Sequence, residues 1–166
     1  MSPLTTEMPY NVRSLLLLPE RERTAVLQSL TEAEAEGLYH DWSFWSRPKQ
    51  LPPPGDWSIW LYMAGRGTGK TRTFAEWIKS LEAQGYRRFA LVGQTPADVR
   101  DVMIEGESGI MSGYPPRLRP SYEPTKRRLT WSSGATALAF SGATPEQLRG
   151  PQFNAAWVDE LAAFDQ

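Results

Sequence analysis

The sequence predicts an α/β fold in which a mostly parallel sheet is sandwiched by helices and preceded by a small helical N-terminal segment. Three observations carry that expectation. A glycine-rich segment, Ala64-Gly65-Arg66-Gly67-Thr68-Gly69-Lys70-Thr71, separates a strand-like run from a helix-like run. Strand and helix patterns alternate after it. Near the C-terminus, the short apolar run Phe153-Asn154-Ala155-Ala156-Trp157-Val158 ends in two adjacent carboxylates, Asp159 and Glu160.

Each element follows from local pattern. Residues 1 to 46 read as a helical lead-in, with Pro19 suited to a first helical position and Thr31 followed by Glu34 as a capping box. Tyr39, Trp42, Phe44 and Trp45 cluster at its end; packing and base stacking are both open to them, and packing is the commoner use. His40, the only histidine, has no neighbouring ligand types and is read as structural. Residues 47–166 are taken as the second domain, with a stiff Pro52-Pro53-Pro54-Gly55 linker near its start. There Trp57 to Met63 is aromatic and β-branched, which predicts a strand, and Thr73 to Leu81 places apolar residues at helical spacing. Gly85 is a stop signal, and Arg88 to Gly93 reads as a buried strand. Pro96 to Met103 predicts a short helix, 106–120 a loop, and Arg128–Trp131 with Ala135–Phe140 a hairpin turned at Ser132-Ser133-Gly134. The strand ending at Asp159 follows a turn region.

Length and composition bound the function classes. The 166 residues fit one domain of ordinary size, and a formal net charge of −1 demands neither nucleic acid nor membrane as a partner. Charge is uneven: Glu20, Glu22, Glu32, Glu34, Glu36 and Asp41 make the start acidic, whereas Arg117, Arg119, Lys126, Arg127, Arg128 and Arg149 make the later part basic. Such a basic stretch can touch phosphate backbone or form a solvated hairpin edge. With no cysteine, disulfides and thiolate metal sites are excluded. The apolar run Leu15 to Leu18 is too short to span a membrane and is stopped by Pro19, so a cytoplasmic protein without membrane contact is expected.

The glycine segment and the acidic pair carry the chemistry. Glycines at 65, 67 and 69 let the chain wrap backbone N–H groups, with that of Thr68 among them, around phosphates, while the following helix aims its positive end at them. Lys70 then reaches the β- and γ-phosphates, and the Thr71 hydroxyl can join Mg²⁺. The general pattern has glycine at position 64, where this chain has alanine. The alternative is a glycine-rich turn with an incidental lysine. Asp159 can organise Mg²⁺ and Glu160 can polarise the attacking water; alone, the pair would equally be a solvated strand end. Together the motifs predict a P-loop NTPase of the ASCE type that binds ATP and Mg²⁺.

Gly-Arg-Gly-Thr-Gly-Lys-Thr-Arg at 65–72, Leu148-Arg149-Gly150-Pro151, and Ala155 to Ala163 together resemble the ATPase domain of the tailed-phage terminase large subunit, closest to the group shared by HK97-like phages and gene transfer agents. The likeness runs from about Trp45 onward. It implies a Mg²⁺-dependent ATPase motor that moves double-stranded DNA through the portal into a procapsid, acting as a ring of like subunits with a terminase small subunit as partner. It also implies that Arg66 is the arginine of the terminase phosphate loop, that Arg149 reaches a neighbour's nucleotide, and that Gln50 resembles the adenine-reading glutamine. In such subunits the coupling motif and the nuclease domain lie further along the chain than residue 166, so impaired turnover and no nuclease activity are expected here. Two other readings stay open: a nucleotide-binding module without turnover, and a helicase-like or recombinase-like ATPase.

Overall fold

The computed structural model describes residues 11–161. The chain divides into two compact units, Met1–Leu51 and Pro52–Gln166. The first ten residues of the expected helical lead-in lie outside the described residues.

The first unit is built from short helices, α1 Val12–Leu17, α2 Glu20–Ser29, α3 Glu32–Tyr39 and α4 Trp42–Trp45, followed by a 3₁₀ turn at Pro48–Gln50. Helices this short depend on caps and packing rather than on propensity. Asn11 and Ser14 form a capping box on α1. Thr31 and Glu34 form another on α3: the Thr31 N–H donates to Glu34 Oε2 at 2.8 Å and the Glu34 N–H to Thr31 Oγ1 at 3.3 Å. Pro19 stands one place before α2, as its N-cap. Leu15, Val26 and Phe44 make a small core with Val12, Leu18 and Leu38 against it. Within the aromatic cluster, Phe44 is buried in that core, and the Trp45 indole N–H donates to Leu38 O at 2.7 Å. His40 caps the C-terminus of α3.

The second unit centres on one sheet. Its elements are α5 Lys70–Ala83, β1 Arg88–Gly93, α6 Pro96–Asp98 running on as a π-helix over Val99–Ile104, β2 Ser121–Glu123, β3 Arg128–Thr130, β4 Thr136–Ser141 and β5 Ala155–Val158. The strand order is β2-β3-β4-β1-β5. Strand β1 runs parallel to both β4 and β5, whereas β2 with β3 and β3 with β4 are antiparallel. The sheet is therefore mixed, not mostly parallel. The tight turn at Ser132-Ser133-Gly134 reverses the chain between β3 and β4, and Gly134 takes the φ of +82° that such a turn requires. Strand β2 falls inside a stretch that had no strand signal, because three residues are too few to display alternation.

Strand β1 is buried on both sides, which is why it reads as a continuous apolar run. Phe89 and Leu91 join the main core with Ala75 and Ile78 of α5, Val99, Met103 and Ile104 of the π-helix, and Trp157 of β5. Ala90 and Val92 belong to a smaller cluster with Phe140, against which Leu138, Leu148 and Phe153 pack. The two helical elements of this unit thus share one face. The expectation of a sheet sandwiched by helices is corrected: within the unit, the second face is covered by the 3₁₀ turn at Pro145–Leu148 and by Phe153.

The expected strand over Trp57 to Met63 is also corrected, since no strand forms there. The side chains nonetheless alternate. Trp60 and Tyr62 turn inward, the Trp60 ring lying 5.0 Å from Phe74 and 6.1 Å from Trp77 of α5. Ile59, Leu61 and Met63 point outward and are 86, 70 and 84% exposed. The apolar pattern is that of a strand, but a strand also needs a neighbour to take its backbone hydrogen bonds, and none does so among the described residues. No described helix is long and apolar enough to cross a membrane.

Leu91, fully buried in the central strand, gives the direct test of this core. Leu91→Ala is expected to lower the unfolding free energy by about 3 kcal/mol in urea titrations, and a loss well under 1 kcal/mol would place Leu91 outside the core.

Candidate functional site

The glycine segment folds as a loop that delivers the chain into α5. Gly67 and Gly69 have φ of +72° and +82°, and Gly69 is the left-handed N-cap of the helix. A side chain at either position would be strained, which explains the glycines. Thr68 Oγ1 donates to Gly65 O at 2.8 Å, closing the loop on itself. Lys70 Nζ turns back and donates to Ala64 O at 3.1 Å and Gly65 O at 3.2 Å. Position 64 serves through its carbonyl, so alanine meets the need there as glycine would. Thr71 is half-buried beside it and Arg66 is exposed. The first N–H groups of α5, a helix of 14 residues, complete a concave set of donors suited to an anion.

Opposite the loop stand the ends of β1 and β5. The Asp159 N–H donates to Val92 O at 2.9 Å, extending the β1–β5 ladder to the acidic pair. Glu160 then takes a φ of +49°, the left-handed region that costs a non-glycine residue about 1 kcal/mol. This turn lets two consecutive carboxylates face one space. They line a cavity of about 390 Å³ whose walls include residues 66–71 of the loop and Gln94, Asp98 and Ser108 across from it. Burial, and then the charge of Glu160, push the Asp159 carboxyl above its usual range, while Lys70 pulls the other way. A partly buried carboxylate beside an exposed one on the same cavity favours a cation before them. Among the described residues no three His, Cys, Asp or Glu side chains gather as a metal set. A cation here would therefore draw on Thr71 and Asp159 for protein oxygens and on its ligand for the remainder, a pattern that fits Mg²⁺.

The other two candidate residues lie elsewhere. Arg149 is exposed on the turn after Leu148, its N–H donating to Glu146 O at 3.0 Å, and is not among the residues lining the cavity. Gln50 belongs to the helical unit, where its side-chain oxygen accepts from Arg47 N and Arg47 Nε, each at 3.1 Å. Gln94, Asp98 and Ser108 were not singled out from the sequence. The signal for Gln94 was its place directly after a buried parallel strand, where open α/β sheets bind ligands.

Behind the loop, α5 is strapped to the segment that carries Ser108. Glu76, 3% exposed, lies between Arg72 Nη2 at 2.7 Å and Lys79 Nζ at 3.3 Å. The same two cations reach across: Arg72 Nη1 donates to Ser112 Oγ at 2.9 Å and Lys79 Nζ to Gly113 O at 2.7 Å. Burial raises the Glu76 carboxyl above its ordinary value despite Lys79 and Arg72.

With this geometry in view, the family profile described as "Terminase large subunit, T4likevirus-type, N-terminal" matches residues 61–166, more than half of the chain. The chain belongs to this terminase family. The matched span contains the glycine loop, α5, the whole sheet and the acidic pair, so the terminase likeness falls on the unit that holds the cavity. Membership places the chain among phage DNA-packaging proteins, whose partners in general are DNA and the portal of the procapsid. No curated protein and no solved structure gives a significant match to the chain.

Two measurements test the site. Because folding raises the Asp159 pKa, the native state binds that proton more tightly than the unfolded chain. Ionised Asp159 therefore costs stability, a cost that sets in above the ordinary carboxylate range and is full above the raised value. Asp159→Asn is expected to raise the thermal midpoint at neutral pH and to leave it little changed in acid below that range; a lower midpoint at neutral pH would refute the assignment. Glu76→Ala, which leaves Arg72 and Lys79 without their anion, is expected to cost about 2 kcal/mol in chemical denaturation, with Glu76→Gln losing less.

Proposed function

We propose that the second unit is an ATPase site of the P-loop NTPase type, of the ASCE class, in a DNA-packaging motor. The observation that carries this reading is the single cavity into which the glycine loop and the acidic pair, far apart in sequence, both project. The terminase family to which the chain belongs supports the packaging context.

In this reading the backbone N–H groups of 65–69 and the start of α5 bind the phosphates of ATP. Lys70 exchanges its bonds to Ala64 O and Gly65 O for the β- and γ-phosphate oxygens, a stronger, charge-assisted partner set. Thr71 and Asp159 hold Mg²⁺, which when bound neutralises charge on the phosphates and orients them. Glu160 accepts a proton from a water as its oxygen attacks the γ-phosphorus; the bond from that phosphorus to the bridging oxygen breaks, leaving ADP and inorganic phosphate. Arg66, exposed on the loop, is positioned to meet charge on the transferred group. Arg149, solvent-facing and off the cavity, is read as acting on the nucleotide of a neighbouring subunit in a ring. Gln50 is the proposed adenine reader; its amide would have to give up Arg47 to take that role. The motor would act on double-stranded DNA at the portal, with a terminase small subunit as partner, in the host cytoplasm. Nuclease activity is not expected of these residues. The HK97-like or gene-transfer-agent grouping is a finer assignment than the matched profile makes, and it remains part of this proposal.

The test is ATP binding and phosphate release with Mg²⁺ on the full chain. Lys70→Ala is expected to weaken ATP binding at least about tenfold. Glu160→Gln is expected to keep binding and lower turnover by about 10² to 10⁴. Binding without turnover in the wild type would assign a nucleotide-binding module instead, and turnover stimulated by single-stranded DNA but not by portal or procapsid would favour a helicase-like enzyme.

A further inference from the structure

Gln94 directly follows the last residue of β1, at the C-terminal end of the strand that lies between the two parallel neighbours. The end of this strand is fixed from both sides. From β4, the buried Ser141 donates through Oγ to Gln94 O at 2.7 Å. From β5, the Asp159 N–H donates to Val92 O at 2.9 Å. The β1–β5 register ends at Val92↔Val158, and Gln94 and Glu160 each follow two residues beyond that pair on their own segments. Both residues line the same cavity as Lys70 and Thr71.

The other polar groups on this wall are differently placed. The Asp98 carboxylate is committed to its own helix start, Oδ2 accepting from Thr95 N at 2.9 Å and Thr95 Oγ1 at 2.7 Å. Ser108 sits on the connection between the π-helix and the 3₁₀ turn at Ile110–Gly113. The Gln94 carboxamide makes no hydrogen bond among the described residues, while its backbone carbonyl is held by Ser141. Its chemistry also suits the place. A carboxamide donates and accepts at once and carries no charge. A carboxylate there would repel phosphate, and a lysine would pair with Glu160 and occupy it.

We propose that Gln94 reads the terminal phosphate of the bound nucleotide, its NH₂ donating to a γ-phosphate oxygen and its carbonyl accepting from the water that Glu160 holds. This rests on the nucleotide reading above. It makes Gln94 the residue that separates the triphosphate from the diphosphate, since ADP has no group within that role. The loop and Lys70 bind either nucleotide, whereas the strand end senses only the longer one.

The experiment is calorimetric titration of the full chain, with Mg²⁺, using ADP and the slowly hydrolysed analogue ATPγS. Gln94→Ala is expected to weaken ATPγS about tenfold relative to its effect on ADP, and Gln94→Glu to widen that gap by repulsion. Thermal melts of both variants, at a solvent-exposed position, report on folding separately. Equal loss for both nucleotides, or loss for neither, overturns the role of Gln94 and leaves the nucleotide site standing. Failure of the wild-type chain to bind either nucleotide overturns the site and this role with it.

Discussion

The stack of Phe74 on Trp157 holds the two halves of the site in one place. The rings lie 6.0 Å apart and 25° from parallel. Trp157 is 1% exposed. Phe74 is one helical turn beyond Lys70, and Trp157 is two residues before Asp159, so a contact inside the core sets the distance between the loop and the acids outside it. The stack is flanked by Trp60 and Trp77, which also touch Phe74. Large planar rings bury much area with few rotatable bonds, so they fix orientation at small entropic cost. One price remains visible: the Trp157 indole nitrogen is buried without a hydrogen-bond partner among the described residues. An apolar residue of that size would avoid the loss, and its absence from position 157 suggests that shape governs there.

The central strand works in the opposite sense, by leaving its end free. Strand β1 is paired on both edges and packed on both faces, so its path is over-determined up to Gly93. A Cβ at Gly93 would meet Val99 Cγ2 at 2.9 Å, which is too close for a side chain that cannot move aside. Glycine there lets the π-helix approach the strand and closes the rear of the cavity with Met103. The chain then leaves the sheet at Gln94 and Thr95, and Thr95 caps the next helix. The crevice is the consequence of a rigid strand stopping where its neighbours β4 and β5 also stop.

How much of this could be read from residues depended on whether the cause was local. The glycine loop, α5, β1, the β3–β4 hairpin and the short strand ending at Asp159 each announce themselves through glycine placement, periodicity or an apolar run, and each forms. The Thr31–Glu34 capping box is local in the same way. What failed depended on partners distant in sequence. Trp57 to Met63 has the side-chain alternation of a strand, yet pairing is a property of two segments, and no composition rule supplies the second. The existence of β2 and its pairing with β3, and the placing of both helical elements on one face, were set by packing that periodicity does not encode. The site divided similarly: loop and acids were legible as motifs, whereas Gln94 and Ser108 enter the cavity through topology alone.

The electrostatics of the cavity argue for a ligand that brings both signs of charge. The loop offers backbone donors, a helix N-terminus and Lys70, all of which favour an anion. Asp159 and Glu160 stand against that same space, and the burial of Asp159, followed by the charge of Glu160, already shows in the raised Asp159 carboxyl. A bare anion drawn to the loop would meet those carboxylates, and a bare cation drawn to them would meet Lys70. Each half of the site thus opposes the ligand that the other half prefers. The conflict is removed when a phosphate chain arrives with a divalent cation, because the cation then lies on the acidic side and the phosphates on the loop side. In the proposed nucleotide site, selection between free phosphate, free metal and their complex would follow from this opposition of charges rather than from any single contact.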